Sequence, residues 1–295
     1  QNFMERVFLL SSSSPSIFLC LIYQVLSVQR FDTTLQLRCK SIHLKHDDHI
    51  DFGSQIKIES LKDTMVKPLN FLCPQHHYIK EEPMCTSTDM SQDHDSVKRF
   101  LEMALTWMKD TISICALSAR TGRLVGVAVM RINALIDKAE TYNRIQVFNG
   151  DVLPKIMQLR GTLVKQAKIY ETLNIEDYLK IYILAVHPSY ELKGVKSALI
   201  ESAILVCRSL KVPAIFGIFT SKVDQEIADS LNLKLFSEIE YSRWIIDDEV
   251  VFDDPGIGNY SAALMGTLIS EEETEEQRKR RKKHRVSRKR QSPDV

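Results

Sequence analysis

The sequence has no CxxC pair, no apolar run long enough to cross a membrane and no large net charge. Its six cysteines are widely spaced, which argues against a disulfide framework and against a zinc site, so we expect no bound metal. The apolar run 16–28 has 13 residues, whereas a membrane-spanning helix needs about 20. We therefore expect a protein of a reducing compartment, the cytoplasm, without a transmembrane segment.

The charge is distributed unevenly, although the formal net charge is only +1. Residues 271–295 contain ten Lys/Arg and six Asp/Glu, so this segment carries +4 and the rest of the chain −3. A basic tail of this density is typical of nuclear import signals, of nucleic-acid binding and of contact with an anionic surface. A solvated tail without a dedicated partner is equally compatible with it.

The chain divides into three predicted parts. Residues 1–52 are expected to form a leader and linker, 53–269 a folded domain, and 270–295 an acidic-then-basic tail without regular structure. Within the domain, hydrophobic periodicity predicts strands at 55–58, 113–118, 124–132, 178–186, 212–219, 233–244 and 260–268. It predicts helices at 61–72, 95–109, 151–173, 193–210 and 224–231. This order indicates an α/β fold with helices around one mixed sheet.

A strand, a polar turn and a helix follow one another between Leu184 and Leu199. The turn contains one glycine, Gly194, directly before the predicted helix. Backbone N–H groups at such a helix N-terminus can bind an anion such as a phosphate. An ordinary turn, in which the glycine relieves strain, is equally compatible with this segment.

Four motifs in this order resemble the GNAT superfamily of N-acetyltransferases, and in particular its insect arylalkylamine N-acetyltransferase-like branch. The superfamily's pyrophosphate loop, Arg/Gln-x-x-Gly-x-Gly/Ala, corresponds here to Glu191-Leu192-Lys193-Gly194-Val195-Lys196, so that the first and last positions differ. The other motifs are the acidic element Glu81-Glu82-Pro83-Met84, the hairpin 121–127, and the strand, turn and helix end of 215–235. The resemblance covers about residues 55–269.

The resemblance implies a GNAT-like fold with a central mixed sheet of about seven strands flanked by helices. It implies acetyl-CoA as a co-substrate, which lies where the fourth and fifth strands separate. Leu184, Ala185 and Val186 would then bind the pantetheine arm and the acetyl carbonyl through backbone groups. The pyrophosphate would face the backbone of Glu191, Leu192, Lys193, Gly194, Val195, Lys196 and Ser197.

The resemblance also implies three catalytic residues. Glu82 matches the family's general base, which takes the proton of the attacking amine, and Glu81 is its near competitor. Thr220 and Ser221 match the first serine position in the turn that helps the CoA thiolate to leave. Capping of the following helix is an equally good role for Ser221. The expected acceptor is a small amine, such as an arylalkylamine or a polyamine.

Two other functions remain compatible with the sequence. Glu191, Lys196 and Asp224 depart from the family's pattern, which favours a GNAT fold that has lost activity and serves as a binding module. The tail could instead dock a larger acceptor, as in a transferase that acts on a protein. Tyr142, Phe148, Tyr170 and Tyr182 are candidates for an aromatic amine pocket, although packing is the more usual role of such residues. We expect a monomer.

Overall fold

A computed structural model describes residues 56–61, 78–137 and 150–269. The strands are β1 (Ile56–Ser60), β2 (Ile114–Ser118), β3 (Leu124–Ala134), β4 (Asp177–Val186), β5 (Ala214–Phe219), β6 (Lys234–Glu240), β7 (Ile245–Ile246), β8 (Glu249–Val250) and β9 (Ser261–Leu268). The α-helices are α1 (Tyr78–Glu81), α2 (Pro83–Ser87), α3 (His94–Trp107), α4 (Val152–Ala167), α5 (Ile169–Leu173), α6 (Val195–Ser209) and α7 (Lys222–Ser230).

Seven of these strands form one mixed sheet in the order β1-β2-β3-β4-β5-β9-β6. Neighbouring strands are antiparallel except β4 and β5, which run parallel. The predicted mixed α/β fold and the predicted number of strands in the sheet are therefore confirmed. The predicted leader, tail and helix 61–72 lie outside the described residues, apart from position 61.

The parallel pair β4–β5 separates after a short contact. The two strands are paired only from Leu179 to Ile181 and from Ile215 to Gly217, although β4 continues to Val186. A register shift against β3 leaves Tyr182 without a partner, so β4 carries a bulge where the pairing with β5 stops. A bulge bends its strand, and here the bend accompanies a gap between two central strands.

Helices cover both faces of the sheet. The buried side chains of α6 recur every three to four residues and pack on β2, β3 and β4. On the opposite face α3 packs on β3, while α4 packs on β6 and β9. The core between these helices and the sheet contains Phe100, Trp107, Leu159, Tyr178 and Phe216.

Asp93 joins the N-terminal ends of α3 and α4. Its Oδ1 accepts a hydrogen bond from the Ser96 backbone N–H (3.0 Å), and its Oδ2 accepts from the N–H groups of Asp151 (2.9 Å) and Val152 (3.1 Å). The Ser96 hydroxyl donates to the same carboxylate and accepts from the Leu153 N–H. One carboxylate therefore caps two helices, whose first turns would otherwise carry unpaired N–H groups.

Three parts of the fold differ from the sequence prediction. The helix predicted at 151–173 is divided into α4 and α5 at Lys168, whose φ of 45° lies in the left-handed region. The strand predicted at 233–244 ends at Glu240, after which a single helical turn leads to the short hairpin β7–β8. Helices α1 and α2 were not predicted at all. No helix among the described residues has the length and apolarity needed to cross a membrane.

Candidate functional site

Glu82 is buried at the start of α2, with 7% of its surface exposed. Pro83 occupies the first helical position, where its fixed φ suits the helix and its missing N–H is not needed. Glu82 is the N-cap, and its Oε2 accepts a hydrogen bond from the Cys85 N–H at 2.8 Å. Its Oε1 is buried and has no hydrogen-bond partner among the residues that the structure describes. A buried carboxylate oxygen without a partner is costly, so this atom is suited to bind a polar group that enters from outside.

Two tyrosines and one arginine surround this carboxylate. Tyr78 lies on α1, and burial followed by the charge of Glu82 raises the pKa of its hydroxyl well above the usual value. Arg160, on α4, is buried and hydrogen-bonded to Tyr78. Burial lowers the pKa of Arg160, but the neighbouring Tyr78 and Glu82 outweigh this and raise it. Burial and the same carboxylate raise the pKa of Tyr241.

Arg160 and Tyr241 connect Glu82 to the two separating strands. Arg160 donates a hydrogen bond from Nη2 to the backbone carbonyl of Tyr182, the bulge residue of β4, at 2.9 Å. The Tyr241 hydroxyl donates to the backbone carbonyl of Thr220, just beyond the end of β5, at 2.7 Å. The two groups on which the charge of Glu82 acts are therefore hydrogen-bonded to the bulge of β4 and to the residue after β5.

A second cation, Lys180, is buried on β4 with 8% of its surface exposed. Its Nζ lies 4.9 Å from the centre of the Tyr182 ring, which stacks on Trp107 at 4.5 Å between centroids. Burial, followed by the charge of Arg160, lowers the pKa of Lys180 to about 7. Burial also raises the pKa of Tyr182 to about 12, and its hydroxyl donates to Oδ1 of Asn133.

The residues predicted to bind the pantetheine arm border the gap between β4 and β5. The last residue of β4 that pairs with β5 is Ile181. Beyond it β4 continues through Leu184, Ala185 and Val186, which still pair with β3 on the other side. Their backbone groups on the β5 side have no strand partner in the described register. A chain with amide groups could occupy this gap and hydrogen-bond to them.

The predicted pyrophosphate loop is a helical turn, Pro188–Lys193, followed by Gly194 and α6. Gly194 is the N-cap and has φ 72°, a left-handed conformation that strains other L-residues. Because α6 has 15 residues, its first N–H groups, from Val195 to Ser197, present the positive end of a full helix dipole. This geometry agrees with an anion-binding turn.

The lysines of this loop are engaged with other groups. The Nζ of Lys196 lies 2.9 Å from Oδ1 of Asp224 and 3.7 Å from Oε1 of Glu191. The Nζ of Lys193 lies 4.4 Å from the centre of the Tyr190 ring. Glu81 is a third carboxyl group close to Glu191, since partial burial and the charge of Glu191 raise the pKa of Glu81. Three carboxyl groups, those of Glu81, Glu191 and Asp224, thus lie around the single ammonium group of Lys196.

Thr220 and Ser221 lie between β5 and α7. Ser221 is the N-cap of α7, and its hydroxyl accepts a hydrogen bond from the Asp224 N–H at 3.1 Å. Thr220 is buried, with its carbonyl held by Tyr241. The capping role considered for Ser221 is thus present in the structure, and its hydroxyl hydrogen remains able to donate.

Two of the four aromatic candidates for an amine pocket, Tyr170 and Tyr182, are described, and they pack against different rings. Tyr182 stacks on Trp107 and lies beside Lys180, whereas Tyr170 packs against Tyr178. Tyr142 and Phe148 lie outside the described residues. A continuous row of rings instead runs from α1 through α3 to β4, formed by Tyr78, Phe100, Trp107 and Tyr182.

The sequence analysis missed the residues that surround Glu82 and the bulge. A signal was present for two of them: Arg160 interrupts the apolar stripe of α4, and Lys180 is the single charge between Tyr178 and Val186. A charge at a position reserved for apolar residues is informative, because it is retained only with a partner or a function. Tyr78 and Tyr241 carry no such signal.

Among the described residues, no group of three or more His, Cys, Asp or Glu side chains could hold a metal ion. No protein-family model and no curated protein sequence matches the chain.

Several solved acetyltransferase structures are similar to the chain in fold. Arylalkylamine N-acetyltransferase 2 from Aedes aegypti superposes with a TM-score of 0.64 at 20% identity, over 73% of this chain and 99% of the other. A mosquito arylalkylamine N-acetyltransferase-like protein, 5b, superposes with a TM-score of 0.65 at 17% identity, over 72% of this chain and 100% of the other. The Drosophila melanogaster polyamine N-acetyltransferase superposes with a TM-score of 0.63 at 16% identity, over 72% of this chain and 100% of the other. The chain therefore has the GNAT fold of these proteins, as the motifs implied.

Proposed function

We propose that the protein transfers the acetyl group of acetyl-CoA to a small amine. The observation that carries this proposal is the buried Oε1 of Glu82, unpartnered among the described residues, in a fold that is similar to solved N-acetyltransferases and whose strands β4 and β5 separate. The neighbours in fold are named for arylalkylamines and polyamines, so these two classes are the first acceptors to test.

The reaction needs a neutral amine. An alkylammonium group has a pKa near that of lysine, about 10.4, so a base must remove its proton at neutral pH. The amine nitrogen then attacks the thioester carbonyl, a C–N bond forms and the C–S bond breaks. Glu82 takes the proton from nitrogen, and the CoA sulfur leaves as a thiolate that accepts a proton. The acetyl group passes directly between the two substrates.

The surroundings of Glu82 support its role as the base. The Cys85 N–H holds Oε2, which leaves Oε1 as the oxygen free to accept the proton. The raised pKa values of Tyr78 and Tyr241 keep both hydroxyls neutral beside it. Thr220 and Ser221 lie at the end of β5, where a hydroxyl could donate to the leaving sulfur.

We expect Glu82→Gln to lower kcat about 10²- to 10⁴-fold, the usual contribution of a general base. Glutamine keeps the size of the side chain and an oxygen that can accept from Cys85, but it cannot take a proton. Release of CoA thiol from acetyl-CoA and a panel of arylalkylamines and polyamines gives the rate. Glu81→Gln is the matched control, since Glu81 is the exposed neighbour in the same motif. An unchanged kcat in Glu82→Gln would exclude this mechanism.

The acidic surroundings of the loop favour a second candidate, a GNAT fold that no longer binds CoA and serves as a binding module. Lys196 is already paired with Asp224 and Glu191, so its charge is partly neutralised before a diphosphate arrives. Two unit charges about 6 Å apart repel by roughly 0.7 kcal/mol at a dielectric of about 80 and by roughly 3 kcal/mol near 20. Glu191 could therefore weaken CoA binding substantially.

Titration of the protein with acetyl-CoA separates the two candidates. The enzyme requires micromolar binding, and absent binding by folded protein would favour the binding module. We expect Glu191→Gln to tighten binding by about 3- to 100-fold, the range that the two dielectric values above imply. Glu226→Gln, an exposed carboxylate farther along α7, should leave the affinity unchanged.

A further inference from the structure

Within residues 56–61, 78–137 and 150–269, Lys180 is a largely buried cation without a partner of opposite charge. It is more than nine-tenths buried, and among the described residues it makes no hydrogen bond or ion pair. Its Nζ lies over the face of the Tyr182 ring, 4.9 Å from the ring centre. A buried ammonium group normally has a carboxylate or several hydrogen-bond acceptors beside it, because removal from water is costly.

The charged groups near Lys180 leave its charge uncompensated. Arg131, opposite Lys180 in the β3–β4 register, is paired with Asp110 at 3.3 Å. Arg160 is the charge that acts on Lys180, and it has the same sign. Glu82 is a carboxylate that acts on Arg160. Each arginine thus has an acidic neighbour, whereas no ion pair of Lys180 is formed within the described part of the chain.

The position of Lys180 relates this charge to the gap. Lys180 pairs with Phe216 in the three-residue contact between β4 and β5, one residue before that contact ends. The next side chain along β4 on the same face is Tyr182, at the bulge. Lys180 therefore lies at the point where the two strands separate. Arg160, on which the charge of Glu82 acts, binds the Tyr182 carbonyl at the same point.

We propose that Lys180, with Arg160 beside it, forms a subsite for a carboxylate carried by one of the reactants. The inference rests on the proposed function, and it specifies the substrate class: a reactant with a negative charge at one end, in place of a simple amine and an acetyl group. The reacting amine faces Oε1 of Glu82, and the carboxylate supplies the counter-charge that Lys180 lacks.

The carboxylate could come from either substrate. An amino acid acceptor would place its amine at Glu82 and its carboxylate at Lys180. A dicarboxylic acyl group, such as malonyl or succinyl, would place the far carboxylate of the donor there instead. Both sources present the same chemistry to Lys180, and activity measurements can distinguish them.

Matched substrate pairs test the subsite in the full-length protein. With acetyl-CoA fixed, glycine, β-alanine, 4-aminobutyrate and tyrosine are compared with methylamine, ethylamine, propylamine and tyramine, which lack the carboxylate. With one amine fixed, malonyl- and succinyl-CoA are compared with acetyl- and propionyl-CoA. We expect kcat/KM to be about 10- to 100-fold higher for the carboxylated member in one arm, the usual range for a charged hydrogen bond. The preference should lie in KM.

Lys180→Met removes the charge and keeps the length of the side chain. We expect it to abolish the preference and to leave the uncharged partner substrates within about threefold of wild type. Lys234→Met is the matched control, since Lys234 is an exposed lysine on another strand of the sheet. A preference that survives Lys180→Met, or equal use of both members in both arms, would overturn the proposal.

Calorimetric titration provides a reading that does not need turnover. The wild type should bind the carboxylated members of the pairs, whether amino acids or dicarboxylic acyl-CoA, more tightly than the uncharged members, and Lys180→Met should lose this difference. If the wild type acetylates no substrate but its tighter binding of carboxylated ligands is lost in Lys180→Met, the subsite is supported and the proposed function is refuted. Turnover of amines without any such difference in binding would refute the subsite alone.

Discussion

Lys180 illustrates how one residue in a sheet can work against the stability of the protein. Its ammonium group contacts an aromatic face, which is favourable but worth only about 0.5–2 kcal/mol. Burial and the charge of Arg160 oppose the protonated form and lower its pKa to about 7. A residue retained at such a cost is more informative about function than an apolar residue at the same position.

We expect Lys180→Met to stabilise the protein, and more so at low pH. The folded-state pKa of about 7 lies below the roughly 10.4 of an unfolded lysine, so between these values the unfolded state binds more protons. The wild type therefore gains stability as pH rises through this window, by up to about 1.4 kcal/mol per pH unit.

Urea denaturation at pH 6, 8 and 10 measures this effect. The free energy of unfolding of the variant should exceed that of the wild type most at pH 6, where the whole cost of burying the protonated Lys180 is present, and least at pH 10. A difference that does not change with pH would mean that Lys180 titrates as a solvent-exposed lysine.

At the scale of elements, the two helix ends that meet at Asp93 illustrate a contact between distant parts of the chain. Burial alone would raise the pKa of Asp93, but hydrogen bonds from Ser96, Val152 and Asp151 outweigh it and hold the pKa well below the usual value. Gly150 lets the chain pass close by, because a Cβ there would lie 2.4 Å from the Ser96 hydroxyl oxygen.

We expect Asp93→Asn to lower the free energy of unfolding by about 1–2 kcal/mol at pH 7, because the amide nitrogen that replaces one carboxylate oxygen cannot accept the hydrogen bonds of Asp151 and Val152. The lowered pKa means that this stability is present above about pH 4, the unfolded value, and is lost as pH falls through the folded value. Denaturation curves of variant and wild type should therefore converge below pH 4. Asp95→Asn, in the first turn of the same helix, should cost only a few tenths of a kcal/mol.

Periodicity predicted the elements well where one stripe of apolar residues decides the structure. This holds for α3 and α6, whose buried residues recur every three to four positions. It failed at α1 and α2, because a four- and a five-residue helix are too short to show a period. The break between α4 and α5 was missed for another reason, since Lys168 is an unusual residue for a left-handed conformation and gives no warning of it.

The candidate site was predictable only where a motif names a residue. Glu82 was identified by resemblance, whereas its burial and its unpartnered oxygen depend on how α2 packs. The groups around it come from α1, α4 and the turn after β6, far apart in the sequence. Tyr78 and Tyr241 reach the site through tertiary packing, which no local pattern encodes.

At the scale of the whole molecule, the charge of the chain divides between the domain and its end. Residues 271–295 carry +4 against −3 for the remainder, and the site itself combines a cationic centre at Lys180 with an acidic group at Glu81, Glu191 and Asp224. A carboxylate on the acceptor or on the acyl donor would complement the charge of Lys180. The acidic group lies at the loop predicted to bind pyrophosphate, where it opposes the negative charge of CoA.

The short contact between β4 and β5 has a mechanical consequence. Three residue pairs join two half-sheets, β1 to β4 and β5 with β9 and β6, which is the shortest pairing between neighbouring strands of this sheet. On one face α3 packs on the first half and α4 on the second, and Asp93 fastens these two helices together at their ends. We expect the angle between the half-sheets, and with it the width of the gap, to depend on this tie at the helix ends.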